Sequence, residues 1–80
     1  MNKFYSFIAY LKVDKRNDFY ITFSTIEEMI GQSLCKSAYK YSAYWHDDGV
    51  HRFAKLIGEA GFVAKPDLDN KRVRFIRKIS

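Results

Sequence analysis

The sequence predicts a small α+β domain in the order helix, strand, helix, helix, helix, strand, strand, with a C-terminal β-hairpin. Apolar residues recur at helical spacing in four segments, and three other stretches have the alternation or composition of strands. Eighty residues that include fourteen aromatic side chains supply the apolar volume for a compact core. We therefore expect one domain over residues 1–80.

The first helix and the first strand follow from two hydrophobic patterns. Residues 4–11 carry apolar side chains at i, i+3, i+4 and i+7, with Asn2 as a candidate N-cap. After a charged turn at residues 14–18, the segment FYITF at residues 19–23 alternates inward and outward side chains. This predicts an amphipathic helix followed by a short half-buried strand.

Capping signals mark the second helix. Ser24 precedes Glu27 by three residues and Thr25 precedes Glu28 by three, which gives two overlapping capping boxes. Gly31 is a natural C-terminal stop.

The third and fourth helices are predicted from the spacing of apolar residues and from the polar residues that interrupt it. A third helix from Ser33 through SAYKYSAYW is indicated by apolar residues at intervals of four, three and four, namely Leu34, Ala38, Tyr41 and Trp45. Asp47 or Asp48 then offers an N-cap for a fourth helix that ends near Gly61. Tyr41 and Trp45 are expected in the core.

The C-terminal segment predicts a hairpin. FVAKP and VRFIRKI read as strands joined by a turn-rich connection at residues 67–70, and Pro66 argues that the first of them is an edge strand. On the last strand alternation directs Arg72, Arg74 and Lys78 away from the core. Arg77 falls on the apolar side of that alternation.

Apart from one extra helix, this order is similar to that of a winged helix-turn-helix domain, in which the hairpin is the wing. Residues 32–48 are longer than the turn of a standard motif. Either helix three or helix four could hold the recognition position.

Composition favours a cytoplasmic protein with a polyanionic partner. The net charge is +5, and the acid-free tail KRVRFIRKIS contains five cations. The alternative is that these cations only keep a small protein soluble. A single cysteine, no signal-type apolar run and no membrane-length segment predict a soluble, cytoplasmic chain with no membrane partner.

The segment HDDGVH at residues 46–51 contains acceptable metal ligands, but its two histidines are five residues apart, which splays them on a helix. We interpret it as a helix-capping turn. Cys35 and His51 have no marked orienting residue, and no glycine-rich phosphate loop occurs. The sequence thus predicts no enzyme, no metal and no small-molecule cofactor.

Nucleic-acid binding is the favoured function, with DNA as the expected partner. A basic helix followed by a basic wing suits phosphate positioning and groove insertion. The candidate contacts are Lys36, Lys40, His51, Arg52, Lys55, Lys71, Arg72, Arg74 and Lys78. A structure in which the cations of helix four and of the wing share one face would support this interpretation, and it weakens sharply if they lie on opposite sides.

The rival interpretation is a protein-interaction module. Such a chain could form a homodimer, or act as a phage or mobile-element inhibitor of a host defence enzyme. Four tyrosines expected at the surface would then anchor the partner, namely Tyr5, Tyr10, Tyr39 and Tyr44.

Blocks of the sequence also resemble a small uncharacterised bacterial family labelled a domain of unknown function. ITFSTIEEMIG, SLCKSA, YWHDDGVHRFAKLIGEAGF, PDL and VRFIR match its pattern TFxEIExILG, LPxSA, WWxNDxxHxxAxxWxxAGW, VDL and VxFxR in order. The resemblance covers residues 20–77. It brings no established activity.

This resemblance draws attention to five positions, which are Ser37, Ala38, Trp45, Asp48 and His51. The chain departs from the pattern at several others: Cys35 replaces a proline, Tyr44 and Ile57 replace tryptophans, and Asp47 replaces an asparagine.

Overall fold

A computed structural model describes residues 3–46, 49 and 51–78. The α+β class is confirmed: four α-helices and a short 3-10 helix accompany a three-stranded antiparallel sheet. The elements are α1 (Tyr5–Val13), β1 (Asp18–Thr22), α2 (Phe23–Ile30), α3 (Lys36–Lys40), the 3-10 helix (Ser42–Trp45), α4 (Arg52–Glu59), β2 (Phe62–Asp67) and β3 (Arg72–Arg77).

The sheet has the order β1-β3-β2, so β3 is central and β1 and β2 are its edges. The register places Arg74 opposite Tyr20 on β1 and opposite Lys65 on β2. Pro66 therefore lies on an edge strand, as the sequence predicts, since proline cannot donate to a ladder.

The helices cover one side of the sheet, because alternate residues of every strand are buried against them. The buried strand residues are Phe19, Ile21, Phe62, Ala64, Val73 and Phe75. We call the opposite side the outer sheet face; it consists of Asp18, Tyr20, Thr22, Val63, Lys65, Asp67, Arg72, Arg74 and Ile76. The domain thus has a helical layer on one side and an open sheet on the other.

Aromatic packing joins α1 to α4. The rings of Phe4 and Phe53 are stacked with centroids 4.2 Å apart, and Phe7 meets Phe53 edge-on at 5.7 Å. Each buried ring of this kind stabilises the fold by roughly 1.5–3 kcal/mol through removal of apolar surface from water. The contact also sets the N-terminal ends of the two helices side by side.

The cap of α2 differs from the predicted capping boxes. Thr22 is the N-cap, and its hydroxyl accepts a hydrogen bond of 3.2 Å from the Thr25 amide. The helix begins two residues early because Phe23 is buried among core rings. This leaves the carboxylate of Glu27 to accept bonds from the Leu34 amide and the Tyr39 hydroxyl, each 2.8 Å long.

The single third helix predicted from Ser33 to Trp45 is wrong. The chain is extended at Tyr41, with φ −123 and ψ 121, and this residue separates α3 from the 3-10 helix. Because of this break, the residues after Tyr41 do not continue the helical pattern of inward and outward side chains. Tyr41 is consequently 61 % exposed instead of in the core, and Tyr44, expected at the surface, is buried.

The N-terminus of α4 lies later than the aspartate caps require. His51 occupies the N-cap position and makes no side-chain cap hydrogen bond. Asp47 and Asp48, the two predicted caps, lie outside the described residues, as does Asn2, the predicted cap of α1. The predicted C-terminal stop of α2 is confirmed, since Gly31 adopts the left-handed conformation with φ 76.

Candidate nucleic-acid interface

The predicted basic residues of the hairpin fall on the outer sheet face and at its ends. Arg72 and Arg74 point outward from β3, whose inward residues Val73 and Phe75 are fully buried. Lys71 is exposed in the turn before β3, and Lys78 follows the strand.

Arg72 is held by two neighbours on this face. Its guanidinium donates a hydrogen bond of 3.0 Å to Asp67 and lies 4.1 Å from the ring centre of Tyr20. Hydrogen bonds from Asn70 and then from Arg72 lower the pKa of Asp67. The arginine is therefore engaged inside the domain through both its charge and its flat face.

Arg74 forms a two-point ion pair with Asp18 across the β1–β3 ladder. One bond joins the arginine Nε to the carboxylate at 2.7 Å, and the second joins a terminal nitrogen to the other oxygen. The hydrogen bond from Arg74 lowers the pKa of Asp18, and the carboxylate in turn raises the pKa of Arg74.

Two more tail cations serve local structure. Lys78 donates to the carbonyl of Gly58 at 3.1 Å, near the C-terminus of α4. Arg77 donates to the side chain of Asn17 and to the carbonyls of Asp14 and Arg16, just beyond α1, and its guanidinium lies 4.6 Å from the Phe62 ring. Its inward parity is explained by this ring contact and by the carbonyls that it binds.

The outer sheet face is consequently close to electrically neutral. Its three cations and two carboxylates leave a net charge of +1. The C-terminal strand is basic in sequence, but Asp18 and Asp67 offset the charge of both outward arginines.

On the helical layer, several exposed cations without an ion pair among the described residues lie close together. A cleft between α1 and α4 is lined by Tyr5, Ile8, Lys12, Arg52, Leu56 and Glu59. Lys55 follows Arg52 on the same side of α4. We call Tyr5, Lys12, Arg52, Lys55, Leu56 and Glu59 the α1–α4 face.

The α1–α4 face is basic and has an aromatic component. Lys12, Arg52 and Lys55 are exposed, and within the part of the chain that the structure describes none of them forms an ion pair or a side-chain hydrogen bond. Glu59 is the single carboxylate on this face, and Tyr5 is 63 % exposed. Such a surface offers cations to phosphates and a ring to bases.

The helix and hairpin cations do not share one face. The inward side of α4 buries Phe53, Ala54 and Ile57 in the helical layer, so Arg52 and Lys55 point away from the sheet. Arg72 and Arg74 lie on the outer sheet face, on the opposite side of the sheet from α4. The joint helix–wing surface on which the sequence interpretation depends is therefore not formed.

The remaining residues predicted to contact nucleic acid lie on α3 and at the start of α4. Lys36 and Lys40 are exposed on α3, which packs through Ala38 and Tyr39. His51 is half-buried, and its ring lies 5.1 Å from that of Tyr44. It is therefore partly occupied by an aromatic contact.

The described positions of the family pattern form hydrogen bonds in the segment from α3 to the first turn of α4. The indole of Trp45 donates to the carbonyl of Ala38, and the Ser37 carbonyl accepts the Tyr41 amide where α3 ends. The carbonyl of His51 accepts the Lys55 amide in the first turn of α4. Asp48 lies outside the described residues.

Several residues of the two faces were not found by sequence reasoning, notably Lys12, Asp18, Tyr20 and Asp67. A signal existed for the two aspartates, since each lies next to a strand predicted from the sequence, and in the structure they are the first residue of β1 and the last residue of β2. Their pairing with particular arginines depends on strand register, which the sequence does not display.

Side chains that could bind a metal are not clustered within residues 3–46, 49 and 51–78. No three His, Cys, Asp or Glu side chains come together there as a metal site requires. Cys35 is exposed, and it contributes with burial, the larger cause, to raising the pKa of Tyr44. None of the described helices has the length and apolarity needed to cross a bilayer.

Comparison with known proteins gives one match. The model of a family described as "Domain of unknown function (DUF7662)" matches residues 4–78. No curated protein and no solved structure matches the chain.

Proposed function

Because the chain belongs to DUF7662, a family whose description assigns no activity, we propose a function from its own surface: a non-catalytic DNA-binding module of winged-helix-like architecture. In this proposal α4 holds the recognition position and the α1–α4 face contacts phosphates. The hairpin acts as a scaffold that supports α4.

The observation that carries the proposal is a contrast between two sets of cations: the outward arginines of β3 are in ion pairs, and the three cations of the α1–α4 face are not. Arg72 and Arg74 would have to exchange a carboxylate for a phosphate, so a phosphate contact there gains little charge compensation. Lys12, Arg52 and Lys55 form no ion pair among the described residues, although the carboxylate of Glu59 lines the same cleft. Each phosphate that they neutralise releases counterions, which favours binding at low salt.

The order of elements also supports the proposal. α4 directly precedes the β2–β3 hairpin, and β1 pairs with the second hairpin strand, as a winged-helix-like arrangement requires. The helix immediately before the hairpin is then the recognition helix, which favours α4 over α3 for this position.

A duplex-binding titration at about 50 and about 200 mM salt tests the proposal. The test variant is Arg52→Ala with Lys55→Ala, and the matched control is Arg72→Ala with Arg74→Ala. Both variants remove two positive charges, so they change the long-range field of the domain equally. All four side chains project outward, and circular dichroism checks that both variants are folded.

The helix variant should lose affinity at low salt, and its salt slope should fall by about 2 because two phosphate contacts are lost. The sheet variant should keep the slope of the unmodified protein. No binding at low salt, or an equal loss in both variants, would overturn the proposal. A larger loss in the sheet variant would assign the contact to the hairpin instead.

A further inference from the structure

The backbone hydrogen bonds of the sheet identify which groups face each edge. In an antiparallel ladder, bonded and non-bonded pairs alternate along each strand. Two bonds fix this alternation between β1 and β3: the Arg77 amide donates to Asn17 at 2.8 Å, and the Phe23 amide donates to Lys71 at 2.9 Å. The amides and carbonyls of Asp18, Tyr20 and Thr22 therefore point away from β3.

The edge at β2 is protected. The Lys78 amide donates to Gly61 at 2.8 Å, so Phe62, Ala64 and Pro66 face outward on this strand. Proline offers no amide, Phe62 is only 1 % exposed, and the 3-10 helix lies against the strand. A proline and a covering segment are two of the ways in which proteins block an edge strand.

The edge at β1 has neither a proline nor, among the described residues, a covering segment. Asp18, Tyr20 and Thr22 are all exposed, and Tyr20 is 49 % accessible. Within the described part of the chain, no other segment donates a backbone hydrogen bond to Asp18 or Tyr20 or accepts one from them. β1 also contains neither proline nor lysine.

We propose that this edge pairs with β1 of a second copy of the chain, antiparallel and about a two-fold axis at Tyr20, to form a continuous six-stranded sheet. The two Tyr20 residues then exchange amide-to-carbonyl hydrogen bonds with each other. Asp18 lies opposite the partner's Thr22, and the same pair recurs on the other side of the axis.

The strand is chemically complementary to itself in this register. Phe19 lies opposite the partner's Ile21 at a non-hydrogen-bonded pair, where side chains approach most closely. No like charges are opposed, because Asp18 faces the uncharged Thr22 of the partner and stays paired with Arg74 of its own chain. This self-complementarity selects a second copy over an unrelated extended segment.

The net charge of +5 gives the association a characteristic dependence on salt. Two copies repel each other at long range, and added salt screens the repulsion. The dimer should therefore be favoured by salt, whereas phosphate binding is weakened by it. The dimer can be measured without nucleic acid, so its failure and the failure of the proposed function are distinguishable.

Sedimentation equilibrium over a range of protein concentrations tests the inference, with three variants at Tyr20. Tyr20→Pro removes an amide that makes no bond to β3, so it blocks the edge and spares the ladder. Tyr20→Glu keeps the amide but opposes two carboxylates across the axis. Tyr20→Val is the matched control, since it keeps both the amide and a good strand former.

The unmodified protein and Tyr20→Val should associate as concentration rises, and the Tyr20 amide should gain protection from hydrogen exchange. Tyr20→Glu should remain monomeric, as should Tyr20→Pro if circular dichroism shows that it is folded. A monomeric unmodified protein at every concentration overturns the inference. Association of folded Tyr20→Glu equal to that of the unmodified protein also overturns it, because the contact then lies elsewhere.

Discussion

The indole nitrogen of Trp45 donates a buried hydrogen bond of 3.0 Å to the main-chain carbonyl of Ala38. The bond spans the extended residue Tyr41 and joins α3 to the 3-10 helix. The ring also stacks on Phe23, with centroids 5.6 Å apart. Trp45 is thus the core anchor that its sequence spacing suggested, although the helix that led to this prediction is broken.

Trp45→Phe should lower the free energy of unfolding by about 2 kcal/mol. The change leaves the Ala38 carbonyl without its donor and removes part of a buried ring. Urea unfolding monitored by circular dichroism measures the loss. Tyr41→Ser, a change at an exposed residue four positions earlier, should stay within about 0.5 kcal/mol of the unmodified protein. An equal effect of the two changes would contradict the assigned bond.

Glu27 should matter for stability through the two bonds that it accepts. Glu27→Ala leaves the Leu34 amide without its partner, at a cost of about 1–3 kcal/mol. Glu27→Gln keeps an acceptor oxygen and should lose less. A double-mutant cycle with Tyr39→Phe, measured by urea unfolding, should show coupling between the carboxylate and the Tyr39 hydroxyl. Strict additivity would argue against that contact.

The Asp18–Arg74 ion pair should affect the pKa of Asp18 and the stability of the fold at acidic pH. The pKa of Asp18 lies below its ordinary value of 3.8 because Arg74 donates to the carboxylate. The pair therefore stabilises the fold above pH 3.8, and this contribution is lost as pH falls through the lower pKa of the folded state. Arg74→Gln should raise the Asp18 pKa towards 3.8, as measured by NMR titration of its carboxyl carbon.

The stability difference between Arg74→Gln and the unmodified protein should correspondingly shrink as the pH of urea unfolding falls below 3.8. Arg52→Gln removes an equal charge from the helical layer and should leave the Asp18 titration nearly unchanged. An Asp18 pKa that does not respond to Arg74→Gln would contradict the ion pair.

Cys35→Pro should be tolerated and should exceed Cys35→Ala in stability by about 0.4–1 kcal/mol. Cys35 has φ −69, which proline adopts without strain, and none of the described groups accepts a bond from its amide. Both variants lose the thiol next to Tyr44, so their difference isolates the restriction of the unfolded chain. Thermal unfolding measures it, and a less stable proline variant would show that the amide is in use.

Much of the fold could be predicted from periodicity. The inward side chains of α1, the edge position of Pro66 and the left-handed Gly31 all follow from local rules that act within a few residues. These rules failed at Tyr41, where a four-three-four spacing fits a helix but the buried Trp45 contact needs an extended residue. Tertiary packing overrides local propensity at that point.

The candidate site was harder to predict, because charge in sequence is not charge at a surface. Arg72 and Arg74 were correctly placed on the outward side of the last strand. Arg74 is neutralised by Asp18, which lies 56 residues away, and Arg72 is neutralised by Asp67 across the hairpin, so both pairs depend on strand register. Lys12 and Arg52 line one cleft because α1 and α4 pack together, and the stacking of Phe4 on Phe53 is one of the contacts between them.

Thr22 ends β1 and caps α2, and Phe23, the next residue, bonds to the β-ladder while its ring lies in the core. No connecting residue separates the strand from the helix. Neither element can open without disturbing the other, so the two should unfold as one cooperative unit. Any strain applied to β1 from outside would then reach α2 directly, with no intervening loop to absorb it.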